Sequence, residues 1–245
     1  MGAGSIGATV TLKLSEAGHA VTVANSRGRD TIDRGLLIFG ATPVDVADVA
    51  VEVDVLITSI PFASMPQIAS LVHQFAPDGV LIDTSNYYPS RDGGIRAIDD
   101  GQVESAWVEE ILGRPVVKAW NAITSQSFAG KATPTGATGR IAIPFAADRS
   151  ADREVVMRLI DETGFDPYDA GAIGDSWRQQ PASPAYCTDL TLDQMPEALG
   201  AAEKDRSPLR RDLAMAVIAE RTKQYSDLGE NFGERLVRLN RAIYM

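Results

Sequence analysis

The sequence predicts an α/β fold, a doubly wound parallel sheet flanked by helices, from three observations. Helical and strand patterns alternate from about residue 5 to 145. The strand-like runs, VLITSI at 55–60 and GVLIDTS at 79–85 among them, are apolar and rich in β-branched residues, as strands covered on both faces are. The chain also opens on glycines, at Gly2, Gly4 and Gly7, that lead straight into the first helical pattern.

Ile6, Val10, Leu14 and Ala17 share one face at helical spacing, with Lys13 and Glu16 off it, and Gly18 is placed to stop that helix. AVTVA (20–24) reads as a buried strand, and a short helix is expected over 30–38, ending at Gly40. VLITSI is broken by Pro61, residues 65–75 read as helix, and GVLIDTS and VVKAW (116–120) as further strands. RIAIPFAAD (140–148) is a fifth strand that Pro144 weakens or places near an edge. Residues 151–162 form an amphipathic helix, with Ser150 as its expected cap, Val155, Val156, Leu159 and Ile160 as its apolar side, and Gly164 as its stop. FDPYDAG (165–171) reads as a strand and 176–190 as loop, with Pro181, Pro184 and Pro196 restricting the region. In the tail, Phe232, Leu236, Leu239 and Ile243 recur at helical spacing, a stripe able to pack on the chain's own core or on a second subunit.

The glycines have the G-x-G-x-x-G spacing of a dinucleotide-binding turn. Gly2 allows the tight turn, Gly4 lets backbone approach a pyrophosphate, and Gly7 lets the helix lie close to the sheet. The helix start adds unpaired N–H groups and a partial positive charge. The fold is thus of Rossmann type, but no strand precedes the turn. That strand should lie centrally, and its loss leaves buried backbone groups unpaired at about 1–3 kcal/mol each. A strand of about 5–6 residues suffices, so the expectation is either a start upstream of Met1 or a truncated, less stable product.

Composition bounds the rest. The chain has 245 residues, is 44% hydrophobic and carries a net charge of −10. It can bury a substantial core, and the charge argues against general affinity for nucleic acid. No apolar run approaches a membrane span and no signal segment stands at the start, so a soluble, cytoplasmic protein is expected. Cys187 is the single cysteine, and His19 and His73 are the only histidines, which leaves no basis for a disulfide or a multi-histidine metal site. No metal is expected.

After AVTVA, the second strand of such a fold once the absent first one is counted, where an acid would hold a ribose 2′-hydroxyl, stand Asn25, Ser26 and Arg27. A hydroxyl and a guanidinium suit a 2′-phosphate, with Arg29 or Arg34 as added charge, so NADPH is preferred over NADH. Residues 1–150 read as an NADP-binding Rossmann domain, and 151–245 as a helix and loop region that completes the pocket and offers a homodimer interface. Asp83, Thr84, Ser85 and Asn86 fall at the end of one strand and Lys118 and Asn121 at the end of the next, the sheet edge where such folds bind ligands. Thr84, Asn86, Lys118 and Asn121 are therefore candidate substrate-pocket residues, each open to a purely structural role in a turn. Trp177 beside Arg178 could stack on a planar ring or pack the loop.

GAGSIG, AGHAVTVANSRG, SIPF, IDTSNYYPSRDG, GRPVVKAWNAI, IAIPFAAD and FDPYDAG together resemble the NADPH-dependent coenzyme F420 reductases, in order from residue 2 to about 190. The resemblance implies hydride transfer between the nicotinamide of NADP and a deazaflavin, coenzyme F420, or a similar small planar redox acceptor. It assigns the pyrophosphate to Gly2, Gly4, Ser5, Ile6 and Gly7, and the 2′-phosphate to Ser26 and Arg27. The nicotinamide ribose falls to Ile60, Pro61 and Phe62. Such a reaction rests on positioning two rings, so no catalytic residue is assigned. F420 is itself acidic, and Lys118, Lys131 and Arg140 are the candidates for a basic patch. Two other readings stay open: an NADPH-binding redox sensor without turnover, and an imine or hydroxy-acid reductase using Lys118 as proton donor.

Overall fold

The structure, a computed structural model, describes residues 1–224 and 231–245. Helix α1 (Ser5–Glu16) starts from an extended Gly4 with no side-chain cap and buries Gly7, Val10, Thr11, Leu14 and Ser15. Thr11 is tolerated on that face because its hydroxyl donates back to the Gly7 carbonyl at 2.8 Å. Gly18, at φ +96°, ends the helix. Strand β1 (Thr22–Val23) follows, then 3₁₀ turns at Arg29–Thr31 and Arg34–Leu37 in place of the helix expected over 30–38. There the Asp33 carboxylate accepts from the Gly35 N–H at 2.7 Å, a local bond that favours a tight turn over a continuous helix.

Strand β2 (Thr42–Pro43) pairs parallel to β1. Strand β3 (Val55–Thr58), helix α2 (Met65–Val72) and strand β4 (Val80–Asp83) come next, then helical turns α3 (Pro89–Asp92) and α4 (Arg96–Asp99). Helix α5 (Glu104–Leu112), strand β5 (Val117–Lys118) and helix α6 (Ser125–Gly130) follow. Strand β6 (Ala142–Phe145), helix α7 (Ser150–Glu162) and strand β7 (Asp166–Asp169) complete the alternating part. Arg149, and not Ser150, is the residue before the first turn of α7. Helices α8 (Met195–Gly200), α9 (Ser207–Gln224) and α10 (Phe232–Tyr244) form the tail.

All the paired strands are parallel: β1 with β2, β3 with β4, β4 with β5, β6 with β7. An antiparallel bridge between Lys118 and Ala146 ties β5 to the end of β6. Alternation along β4 sends Leu81 to one face and Val80 and Ile82 to the other. On the first face lie Phe62, Met65, Leu71, Tyr87, Trp107 and Leu112. On the second lie Val10, Trp120, Phe128 and Phe145, continuous with Val156, Ile160 and Phe165, so residues on either side of position 150 share one core.

The chain's first two residues lie between β1 and β3. The backbone of Met1 and Gly2 stitches β1 to β3: the Met1 amine donates to the Ile57 carbonyl at 2.6 Å, Ser59 N–H donates to Met1 O at 2.8 Å, and Gly2 N–H donates to Ala24 O at 2.8 Å. Among the described residues no other ladder joins β1 to β3. A cavity of about 270 Å³ lies between them, walled by Val10, Leu14, Val21, Val23, Val55 and Ile57.

Candidate functional site

The site is made by sheet register. Thr58, Asp83 and Lys118 are neighbours across β3, β4 and β5. Beyond them the chain leaves all three strands at one edge, so Ser59-Ile60-Pro61, Thr84-Ser85-Asn86 and Trp120-Asn121 emerge side by side. They line a cleft of about 480 Å³ that begins at Gly4, Ser5 and Ile6 and is walled on its far side by α9 and α10.

The three glycines divide as their chemistry demands. A methyl on Gly2 would sit 2.1 Å from the Ser59 carbonyl oxygen, and one on Gly7 would sit 2.0 Å from the Gly2 carbonyl oxygen. These two glycines permit close backbone packing. Gly4 has no heavy atom within 4 Å of where a methyl would lie, so the space over the start of α1 is open. The N–H groups of the first turn of α1 face that space without side-chain caps. Backbone amides, a helix start and open room fit a phosphate group.

Beyond β1 the turn is rigid at its base. The Asn25 carboxamide accepts from Arg27 N–H at 2.9 Å and bonds the Thr31 hydroxyl at 3.0 and 3.1 Å. Asn25 is buried in this role, while Ser26 and Arg27 are exposed. Arg29 is taken up by Asp45 at 3.8 Å; among the described residues the Arg27 guanidinium has no ion-pair partner.

Gly4, Ser5, Ile6, Ile60, Pro61, Thr84, Asn86 and Asn121, all expected from sequence, line the cleft. Phe62 does not: it is fully buried, stacked on Trp107 at 4.9 Å and tilted on Tyr87 at 5.6 Å. Lys118 is likewise not delivered to the cleft. Its ammonium is fully buried, donating to Asp83 Oδ2 at 2.9 Å and to the Ser85 carbonyl. The same carboxylate accepts from Ser85 N–H and Ser85 Oγ at 3.0 Å and from Thr58 at 3.3 Å, so the pair is closed. Lys131 is paired with Asp189, and Arg140 with Asp161 and Asp166. The expected basic patch of Lys118, Lys131 and Arg140 thus does not converge. Arg178 lies over the ring of its own neighbour Trp177 at 4.3 Å and donates to Leu199 O, which spends both on the loop.

The cleft's cations are Arg91 and Arg211, which sequence spacing did not single out, and no aspartate or glutamate lines it among the described residues. Asn86 and Asn121 are cross-braced: Asn121 Nδ2 donates to Asn86 Oδ1 at 3.1 Å and to Gln179 O at 2.8 Å, and Asn86 Nδ2 donates to Asn121 O at 3.0 Å. Tyr88 and Tyr186 share a hydroxyl–hydroxyl bond of 2.6 Å at the same end. Burial pushes both phenols, and the Cys187 thiol, well above their ordinary ranges.

Helix α10 buries Gly233, Val237, Asn240 and Tyr244, one position along from the stripe read in the sequence. Phe232 and Leu236 of that stripe face the cleft, and Ile243 is exposed. The cause is polar: Asn240 donates to Cys187 O at 3.2 Å, and Arg241 to Thr188 O at 2.6 Å and Asp189 O at 2.8 Å, fixing the rotation of the helix.

Residues 1–87 match the family model described as NADP oxidoreductase, coenzyme F420-dependent. Protein YjhV of Escherichia coli K12 is 43% identical over 77 residues, 31% of this chain and 56% of that protein, so the match spans about half the length of the curated relative. Among solved structures, hypothetical protein SMa0349 of Sinorhizobium meliloti aligns with TM-score 0.65 and 27% identity, over 77% of this chain and 91% of that one. A candidate F420-dependent NADP reductase from Arthrobacter sp. FB24 aligns with TM-score 0.52 and 21% identity, over 70% and 83%, which establishes a shared fold. The likeness to that family model lies in residues 1–87, from the glycine turn through β4 to Tyr87.

Proposed function

We propose that this protein is an NADP(H)-dependent oxidoreductase that exchanges a hydride with a small planar acceptor, a deazaflavin such as coenzyme F420 or a related ring. One observation carries the reading: a single cleft, free of carboxylates among its described lining, runs from the open Gly4 turn to the polar ends of β4 and β5. The first-turn amides of α1, at Ser5 and Ile6, would hold the pyrophosphate, and Ser26 and Arg27 the 2′-phosphate. Ile60 and Pro61 would flank the nicotinamide ribose, and Asn86 and Asn121 the acceptor. When bound, the reduced nicotinamide supplies the hydride from C4. The chain's work is to keep donor and acceptor atoms about 3–3.5 Å apart and water out. Phe232 and Leu236 give that end of the cleft an apolar cover.

The test is NADPH oxidation by the purified protein with F420, FMN and a panel of quinones, alongside calorimetric titration with NADPH and NADH. Oxidation with one acceptor class and tighter binding of NADPH are the expected results. NADPH bound without turnover by any acceptor would replace this reading with a redox sensor, and no NADPH binding would end both.

A further inference from the structure

The hydroxyls of Tyr88 and Tyr186 come from loops 98 residues apart, yet lie 2.6 Å from one another in the wall of the cleft. Each is held from behind. The Tyr88 backbone N–H donates to Asp92 at 2.9 Å, and the Arg91 guanidinium lies 5.2 Å over the Tyr88 ring. Arg91 in turn donates to Asn86 O at 2.6 Å, and Asn86 Nδ2 donates to the Tyr186 hydroxyl at 3.4 Å. Asn86 is locked by Asn121, and Asn121 by Gln179. Such bracing fixes a polar tip that would otherwise swing.

Two phenols carry two protons, and their mutual bond uses one. Asn86 reaches Tyr186 only as a donor, and the Cys187 thiol, which hydrogen-bonds Tyr186, is a weak acceptor. The pair therefore keeps one proton for a stronger acceptor in the cleft. Both phenols stay protonated across the neutral range because burial disfavours their anions, so they serve as donors and not as bases.

We propose that Tyr88 and Tyr186 act as one catalytic unit that hydrogen-bonds and protonates the carbonyl oxygen of the hydride acceptor. The acceptor is thus a carbonyl compound, with a ketone, a quinone and the deazaflavin carbonyl as sources of the same chemistry. This rests on the hydride-transfer reading above. The balance is complete: a ketone takes the hydride at its carbonyl carbon, a quinone or deazaflavin at a ring carbon conjugated to the carbonyl. In each the π electrons shift to the carbonyl oxygen, that oxygen takes the tyrosine proton, and the enol formed in the conjugated rings tautomerises. NADP⁺ is left, and the tyrosinate regains a proton from water. Arg91, over the Tyr88 ring, is itself paired with Asp92 at 2.8 Å, and that pair fixes the ring in place.

The experiment compares wild type with Tyr88→Phe, Tyr186→Phe and the double variant, each first checked for thermal unfolding and NADPH affinity. The acceptors are F420, a benzoquinone and a simple ketone. Each single variant is expected to lose about a hundredfold or more in kcat. NADPH affinity should stay within twofold, and the wild-type solvent deuterium isotope effect should change. The double variant should be little worse than the weaker single, because the pair acts together. All three variants within threefold of wild type would overturn the tyrosine role and leave NADPH-dependent hydride transfer standing. Wild type that binds no NADPH would overturn both. A kcat loss that only parallels a loss of fold or of NADPH affinity would reduce the pair to a packing role.

Discussion

At the scale of single residues, the glycine turn separates binding from packing. Gly4→Ala adds a methyl into open space at an ordinary φ of −74°, so the protein should fold with little loss. NADPH affinity should fall at least tenfold, because that methyl occupies ligand space. Gly2→Ala places a methyl against backbone at φ +96° and should cost at least about 1–3 kcal/mol in chemical denaturation. If Gly4→Ala binds NADPH like wild type, the pyrophosphate does not lie on this turn. Arg27→Glu tests the other anchor. The Arg27 guanidinium is exposed and free of ion pairs among the described residues, so its reversal should weaken NADPH by about tenfold to a hundredfold and leave NADH nearly unchanged. Equal losses for both nucleotides in parallel titrations would remove the 2′-phosphate assignment. The start of the cleft at Gly4, Ser5 and Ile6 was legible in the sequence because glycine carries its chemistry in local spacing. Lys118 misled because nothing in VVKAW shows that sheet register sets Asp83 beside it. Tyr88 and Tyr186 were invisible because only the folded chain joins two loops so far apart in sequence.

At the scale of elements, the strands were legible where they are covered on both faces. VLIT and VLID have no polar alternation to mislead, and parallel pairing follows from the helices between them. The two-residue β2 shows no period at all, and α9 hides its register by exposing Leu209, Leu213 and Val217. The gap between β1 and β3 is the most consequential feature at this scale. Among the described residues Met1 and Gly2 alone bridge β1 and β3, above a cavity of about 270 Å³ whose inner walls include Val10, Leu14, Val23 and Ile57 beside polar groups. An apolar extension of about five residues ahead of Met1 would continue the parallel pairing that Met1 begins and fill that space. Its thermal midpoint should rise by several degrees, since each kcal/mol is worth about 2–4 °C in a protein of this size. An extension of equal length built from proline and aspartate should give no rise, because it can neither donate to the ladders nor bury its side chains. Equal midpoints for the apolar extension and the unextended chain would show that the slot does not take a strand.

At the scale of the whole molecule, two buried groups pull stability in opposite directions as pH changes. Glu104 is buried, which raises its carboxyl from 4.5 to about 7, although Lys118, the Tyr87 N–H and Arg211 oppose the shift. The folded protein therefore holds this proton more tightly than the unfolded chain does between those values. The resulting stability is complete below pH 4.5 and lost as pH rises through 7. The Met1 amine is lowered by burial from 8.0 to about 5, so here the unfolded chain binds the proton more tightly. Its contribution is complete above pH 8 and lost as pH falls toward 5. Between pH 5 and 7 the two slopes oppose each other, and the intact chain should show a flatter stability profile than either altered form. Glu104→Gln keeps an acceptor for the Tyr87 N–H but does not titrate, so its stability should climb with pH from 5 to 8. The amino-terminally extended chain has no amine in the slot and should lose stability from pH 4.5 to 7. Urea unfolding at half-unit pH steps reads both slopes directly. Parallel profiles for Glu104→Gln and wild type would show that Glu104 is ionised in the folded protein at ordinary acidity, held there by Lys118 and Arg211 in spite of its burial.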